Sequence, residues 1–393
     1  MKFIFKASFT YCLLIIAFSA HGQTDSLPET KPQRFHLRGY LKDLQTATWT
    51  PEEGSLLTGN FIHNRLNFRY DISNSLSARL EMRTRLFWGE EVRWTPDFAQ
   101  QIGYDDGLMD LSWILVDKPA AVLHTTADRL LLNWRYRHWD VTLGRQRVNW
   151  GVTTVWNPND LFNAYNFFDF DYEERPGSDA LRVRYFTSGM SNLDAAVSRG
   201  RDPASTIAAF LYRFNRWGYD FQVLSGTYLD DLVLGAGWAG SIGDAGFKGE
   251  ATWFQPREAF WDTTGAVSAT VSGDYSFADG WYVGGAFLYT SSGTNDPAAI
   301  DSLATWEFSA KTLMPFKYSV LGQVAKQITP LFNMNMSVIY CPVVDALIVF
   351  PVLTYSVSDN WDMDLVMQTF FAPQDDKFKN QGNMLFLRLK WGF

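Results

Sequence analysis

The feature that most limits the fold of this chain is a period-two alternation that recurs along it and does not lengthen into a helical period. Arg79, Glu81, Arg83 and Arg85 alternate with Ala78, Leu80, Met82, Thr84 and Leu86. His63, Arg65, Asn67 and Arg69 alternate with Ile62, Leu66, Phe68 and Tyr70, and Arg182 and Arg184 with Leu181, Val183 and Tyr185. Successive side chains of a strand point to opposite faces, so each stretch is a strand with one apolar and one charged face. A soluble sandwich turns its apolar faces inward and has no need of a Trp or Tyr at so many strand ends. Apolar outside and charged inside fits a barrel with lipid around it and water within. The apolar run Ala346 to Leu353 contains Pro351 and falls far short of the ~20 residues a membrane helix needs.

The pattern predicts strands over 35–49, 60–71, 75–88, 126–137, 140–150, 179–188, 192–200, 205–214, 218–228, 232–242, 247–256, 265–277, 281–292, 318–328, 332–341, 347–357, 361–372 and 384–393. That is an all-β, transmembrane antiparallel barrel of about 18 strands, an even number as single-chain bacterial barrels prefer. Strands at Leu111–Val116 and Thr305–Thr312 would change the count to 16 or 20. Alternate connections are very short, while 89–125, 151–178, 293–317 and 373–383 are long. Short periplasmic turns and long outer loops give this asymmetry. Trp139, Trp217, Trp281 and Trp361 each fall within or just after a short turn, as a membrane-interface belt requires.

The ends agree. Lys2 and Lys6, an apolar run from Phe9 to Phe18 and small residues around Ala20 predict a signal peptide over 1–22. Residues 23–34, with Pro28 and Pro32, read as a short periplasmic lead-in, and 35–393 as one barrel domain. The mature chain has 32 basic and 42 acidic residues, so nucleic acid is not an expected partner. Cys341 is its sole cysteine, which excludes an intrachain disulfide. The last strand places Leu385, Leu387, Leu389, Trp391 and Phe393 on one face. It resembles the closing strand of bacterial outer-membrane barrels. That resemblance implies location in the cell outer membrane, contact with its lipid, and recognition of Trp391 and Phe393 by the barrel-assembly machinery.

Catalytic signatures are absent. There is no Gly-x-Ser-x-Gly, His-Glu-x-x-His, Cys-x-x-Cys or phosphate loop. Gly235, Gly237 and Gly240 match a dinucleotide spacing but sit inside a strand pattern with no helix after it. Asp169, Asp171 and Glu173 alternate like calcium ligands but lack the glycine and distal glutamate of an EF-hand. No enzyme, cofactor or metal site is expected.

The charged inner face is sharper. Arg65, Arg69, Arg79, Arg83, Arg85, Arg129, Arg135, Arg182 and Arg184 are predicted to face inward from the first six strands. Later strands offer Ser268, Thr270, Ser272, Gln323, Asn333, Asn335 and Ser337. An arginine wall favours anions in a pore. Alternatively, these arginines pair with Glu81, Asp160, Asp169, Asp171, Glu173 and Glu174 to build a rigid polar interior. Residues 151–178 bear on the choice, being rich in Trp, Phe, Asn and Asp without a clean period. They are expected to fold into the barrel, their carboxylates facing the arginine wall and forming a constriction. Arg145 and Arg147 stand at the base, where the apolar set shifts after Leu143 and suggests a bulge near Gly144.

Gly144-Arg145-Gln146, Asn149-Trp150-Gly151, Asn157-Pro158-Asn159-Asp160 and Pro176-Gly177 resemble the pattern of a poorly characterised family of Gram-negative outer-membrane barrels. That family is similar in architecture to porins and alginate-export barrels. The resemblance implies an 18-strand pore with an arginine-rich lumen. The expected function is a porin-like channel for passive passage of small hydrophilic, preferentially anionic solutes. Three other readings stay open: an exporter of an acidic polysaccharide, which would need a periplasmic partner, a transporter of hydrophobic molecules, and a structural or enzymatic barrel with a closed lumen and every Arg paired.

Overall fold

In a computed structural model, the structure describes residues 33–51, 54–164, 171, 175, 177–296, 299, 306, 308–374 and 377–393. The expected signal peptide, 1–22, and nearly all of the expected lead-in lie outside them. The strands are β1 (Phe35–Trp49), β2 (Leu56–Asp71), β3 (Leu76–Gly89), β4 (Ser112–Lys118), β5 (Ala121–Tyr136), β6 (Trp139–Gln146), β7 (Ser178–Ser188), β8 (Ser191–Ser198), β9 (Ile207–Arg216) and β10 (Tyr219–Tyr228). They continue as β11 (Asp231–Ile242), β12 (Ala245–Pro256), β13 (Ala266–Ser276), β14 (Trp281–Thr290), β15 (Tyr318–Thr329), β16 (Phe332–Cys341), β17 (Ala346–Ser358), β18 (Trp361–Gln374) and β19 (Lys377–Gly392). Two short helices, α1 (Glu90–Trp94) and α2 (Phe98–Gly103), precede β4.

Each strand pairs antiparallel with the next around the circle, and β19 returns to β1 with Tyr40 opposite Gly392 and Trp49 opposite Asn383. The result is a closed antiparallel barrel of 18 strands. β4 does not enlarge the circle. It pairs only with the first half of β5, from Ser112 opposite Thr126 to Lys118 opposite Ala121, while β6 pairs with the second half, from Leu130 to Tyr136. β4 therefore fills the stretch of wall that β6 leaves by ending at Gln146. The sequence left 89–125 as loop, and the strand inside it is a patch in the wall. The described part of Thr305–Thr312 is not strand.

Closure depends on Gly39. Its N–H donates to the Phe393 carbonyl at 3.0 Å, and the Phe393 N–H donates back to the Gly39 carbonyl at 3.0 Å. A Cβ on Gly39 would lie 2.7 Å from the Phe393 ring and 2.4 Å from the Arg65 carbonyl, so no larger residue fits there.

The two faces separate as the alternation predicts. On β19, Leu387, Leu389, Trp391 and Phe393 are exposed, while Arg388 reaches inward to Asp364 at 2.9 Å. Trp139, Trp217, Trp281 and Trp361 are exposed at the short-turn end, and Trp361 stacks on Trp391 with centroids 6.0 Å apart. Four boundaries differ most from the sequence reading: β2 begins at Leu56 and β5 at Ala121, each ahead of the expected start, and two others change as follows. The described residues of the expected loop 373–383 belong to the ends of β18 and β19, which pair from Phe371–Asn380 out to Gln374–Lys377. The strand read over 140–150 stops at Gln146.

Candidate functional site: the lumen wall and its inserted segment

The departure from the wall begins at Gly144, which has φ +113°, and where a Cβ would lie 2.2 Å from the Leu130 carbonyl. Only glycine tolerates this turn. Arg145 then stands beside the wall arginines, lining one cavity with Arg83 and Arg85. It forms a buried cluster with Asp105 and Asp179, with Nη1 at 2.5 Å from Asp105 and Nη2 at 2.9 Å from Asp179, and Nη2 donates to the Met109 carbonyl at 2.6 Å. Burial alone would raise the Asp105 carboxyl, but hydrogen bonds from Arg145 and from the Leu111 and Gly107 amides hold it below its ordinary value. Arg145 thus fastens the insert before β4 to the wall. Gln146 donates to the Thr142 and Ala180 carbonyls at 3.0 and 2.9 Å, satisfying main-chain acceptors where β6 ends.

The segment after Gln146 lies on the polar, inward side of the barrel. Trp150 is fully buried. Its indole N–H donates to Asp194 of β8 at 3.0 Å, and its carbonyl accepts from Gln222 of β10 at 2.7 Å. The Asn-Pro motif is a turn in which the Asp160 amide donates to the Asn157 carbonyl at 3.0 Å. It rests on β11 and β12: Asn159 donates to the Ala236 carbonyl at 3.0 Å, and Thr252 donates to the Asn159 side chain at 2.7 Å. Glu250 of β12 is the main anchor. Its carboxylate accepts from the amides of Val152, Thr153 at 2.8 Å and Asn159 at 3.0 Å. Val155 and Trp156 pack further round the wall with Leu288, Ile339 and Ile348.

The segment also reaches the opposite wall. Asp171 lies 2.7 Å from Lys42 of β1, 3.4 Å from Arg388 of β19 and 3.5 Å from His63 of β2. Burial works against its charge, but the His63 hydrogen bond and the Lys42 cation hold its carboxyl well below the ordinary range. Asp160 goes the other way. Burial pushes it up to about 7 against the opposing Arg175 guanidinium, 2.9 Å away, and Arg147, half-buried, also favours its charged form.

The wall arginines have the following partners among the described residues, Glu81 among them as expected. Of the segment's acids, Asp160 and Asp171 are described, and neither meets Arg79, Arg83 or Arg85 in an ion pair. Asp169, Glu173 and Glu174 lie outside the described residues. Among the described residues, the acids that pair with the wall arginines come from the strands themselves. Asp128 holds both Arg65, at 2.5 Å, and Arg83, at 2.9 Å, and Glu81 holds Arg65 at 2.7 Å. Asp140 holds Arg135 at 2.8 Å and Arg184 at 2.6 Å. Asp194 holds Arg182 at 2.5 Å and approaches Arg213 at 3.9 Å. Arg85 meets His124 at 3.0 Å, Arg129 donates to the Arg175 carbonyl at 2.6 Å, and exposed Arg69 pairs with Asp71 at 2.9 Å. Among the described residues Arg79 makes no ion pair.

Lys42, Asp128, Asp140, Asp194, Arg213, Glu250, Asp364 and Arg388 were not singled out from the sequence. Phase within their strands could have found Asp140, Asp194, Glu250 and Asp364, which share the inward face with their polar neighbours. Asp128 had no such signal, because a register shift between Glu81 and Met82 places it in a bulge of β5.

No protein-family model matches the chain, and no curated protein matches it in sequence. Its fold is similar to solved crystal structures. Acinetobacter baumannii OccAB4 aligns with TM-score 0.58 at 8% identity, covering 93% of this chain and 100% of that one. Pseudomonas aeruginosa OccK7 (OpdD) aligns with TM-score 0.57 at 10% identity, covering 92% and 99%. Pseudomonas aeruginosa OccK5 (OpdH) aligns with TM-score 0.59 at 8% identity, covering 92% and 98%. The fold comparison therefore leads to crystallographically described Occ and Opd proteins, not to the poorly characterised family that the Gly-Arg-Gln motif resembles. The architecture of this chain is that of the Occ and Opd barrels.

Proposed function

We propose that the protein is a porin-like channel of the outer membrane, through which small hydrophilic solutes pass passively with a preference for anions. The observation that carries this reading is the distribution of charge inside a closed barrel whose outside is apolar. Asp140 and Asp194 each serve two guanidiniums, so each of these clusters keeps one positive charge in excess. Arg79 adds another. The segment that runs from Glu250 to Lys42 narrows the passage and places Asp171 across from these cations. A narrow, positively biased polar passage selects by width and field and needs no covalent chemistry. The architecture shared with the Occ and Opd barrels supports the reading, as does the Trp belt at the short-turn end. Trp391 and Phe393, exposed at the end of the closing strand, are the proposed assembly signal.

The test is single-channel recording of the refolded protein in a planar bilayer. Discrete open steps that rise when the inserted segment is released by Glu250→Ala are the expected result. A bilayer that stays silent with both the native protein and the released variant would overturn the reading.

A further inference from the structure

The outward face of the barrel carries a stripe of amides, hydroxyls and a carboxylate on one side. Outward side chains of β16 and β17 read Met334, Met336, Val338 and Tyr340, then Leu347, Val349, Pro351 and Leu353, as lipid contact demands. On β1, β2, β3 and β5 the same face carries Asp43, Gln45, Asn60, Asn64, Thr84 and Thr125. The register makes these neighbours. Asp43 lies opposite Ile62 and Leu389, and Gln45 opposite Asn60 and Leu387. Asn64 lies opposite Thr84, and Thr84 opposite Thr125, with their hydroxyls 3.0 Å apart. Ile62, Leu387 and Leu389 are exposed, which fixes the stripe on the outside of the wall.

Asp43 is not at the rim, whereas Asn60 at the other end of the stripe lies opposite Trp88. Asp43 is two residues along β1 from Leu41, the partner of Trp391, and six from Trp49. At about 3.3 Å per residue and a tilt near 40°, it sits roughly 5 Å inside one aromatic row and roughly 15 Å from the other. Gln45 donates to Asp43 at 2.7 Å. The Asn60 and Asn64 amides make long contacts of 3.4 Å to the carbonyls of Trp88 and Tyr40. A carboxylate facing acyl chains is costly, and ionisable groups at that depth are ordinarily paired or turned to a polar surface.

We propose that this face, centred on Asp43, is the contact between copies of the chain in the membrane. Acyl chains at this depth offer no donor to a carboxylate. A second stripe does, because amides and hydroxyls both donate and accept, so the face complements itself, as an isologous contact requires. Polar side chains that hydrogen-bond across packed elements are an established source of association in membranes. Trp113 of β4, opposite Thr125 and exposed, closes the row and supplies an anchor of the kind that dominates interface energetics.

The test has two arms. Native mass spectrometry of the wild-type protein in lipid nanodiscs is expected to give a multiple of the chain mass. The variant Asp43→Leu/Asn60→Leu/Asn64→Leu, which makes the face more lipid-like, is expected to give the monomer with unchanged single-channel conductance. Independently, Ile62→Cys leaves the stripe intact and should be joined to a second copy by a short bis-maleimide in native membranes, whereas Leu234→Cys on β11 should not. Monomeric wild-type protein, equal cross-linking at both positions, or capture of a chain of another mass at Ile62→Cys would each overturn the proposal.

Discussion

The two sides of the lumen are built from different chemistry. From β2 to β9 the inward face holds guanidiniums on strand carboxylates: Arg65 and Arg83 on Asp128, Arg135 and Arg184 on Asp140, Arg182 on Asp194. From β13 to β16 it holds Ser268, Thr270, Ser272, Gln323, Asn335 and Ser337. The first side is a lattice of charges whose geometry is fixed by mutual pairing. The second offers hydroxyls and amides, and Ser268 and Ser272 have buried oxygens with no partner among the described atoms. Of these two stretches of wall, the arginine-bearing one is therefore the main source of field across the passage. The inserted segment joins the two arrangements, held by Glu250 at one end and Asp171 at the other.

The largest effect is expected where the segment is held. Glu250→Ala removes the acceptor for the amides of Val152, Thr153 and Asn159. Each buried donor left unpaired costs about 1–3 kcal/mol, so the segment should leave the wall and single-channel conductance should rise several-fold. Next comes the far tether. Asp171→Asn takes a negative charge from between Lys42 and Arg388; conductance should rise modestly and anion preference should increase, read from the reversal potential. Arg182→Gln/Arg184→Gln on the charged side should weaken anion preference without a matching change in conductance. Asn333→Ala/Asn335→Ala on the neutral side should leave ion selectivity unchanged; a shift as large as that of the arginine pair would break the contrast between the two sides.

A pH series sharpens the role of the tether. The Asp171 carboxyl is held below its ordinary range, so its stabilising contribution is present above the ordinary carboxylate pKa and is lost only as pH falls through the depressed value. The conductance of the native channel should thus keep its tethered level through pH about 4, where an ordinary carboxylate takes up its proton. An opening transition near pH 4 that Asp171→Asn abolishes would contradict the assignment.

Much of the wall was legible because lipid and water impose opposite demands on alternate residues. β16, expected over 332–341, runs Phe332–Cys341, and β7, expected over 179–188, runs Ser178–Ser188. The pattern fails where one demand disappears. Phe378, Lys379, Asn380 and Gln381 read as loop because β19 continues past the apolar band, where a strand has no apolar face to display. β6 was read too long because Val148 and Trp150 alternate with Arg147 and Asn149 as in a strand, in shifted phase, while burying in a cluster with Phe162. The inward arginines were legible one by one from phase. Their partners were not, because Asp140 meets Arg184 and Asp194 meets Arg182 across strand registers that no single strand encodes. The partners of Arg145 were hidden for a related reason: Asp105 and Asp179 come from an insert and a strand that meet only where β6 ends.

The most direct measurement is the zero-current potential of the native channel in a planar bilayer under a tenfold potassium chloride gradient. The two ions have nearly equal mobility, so the sign reports the field of the passage. The account predicts a potential of the sign set by chloride, reduced in Arg182→Gln/Arg184→Gln. A potential of the opposite sign, or one that this variant leaves unchanged, would contradict it.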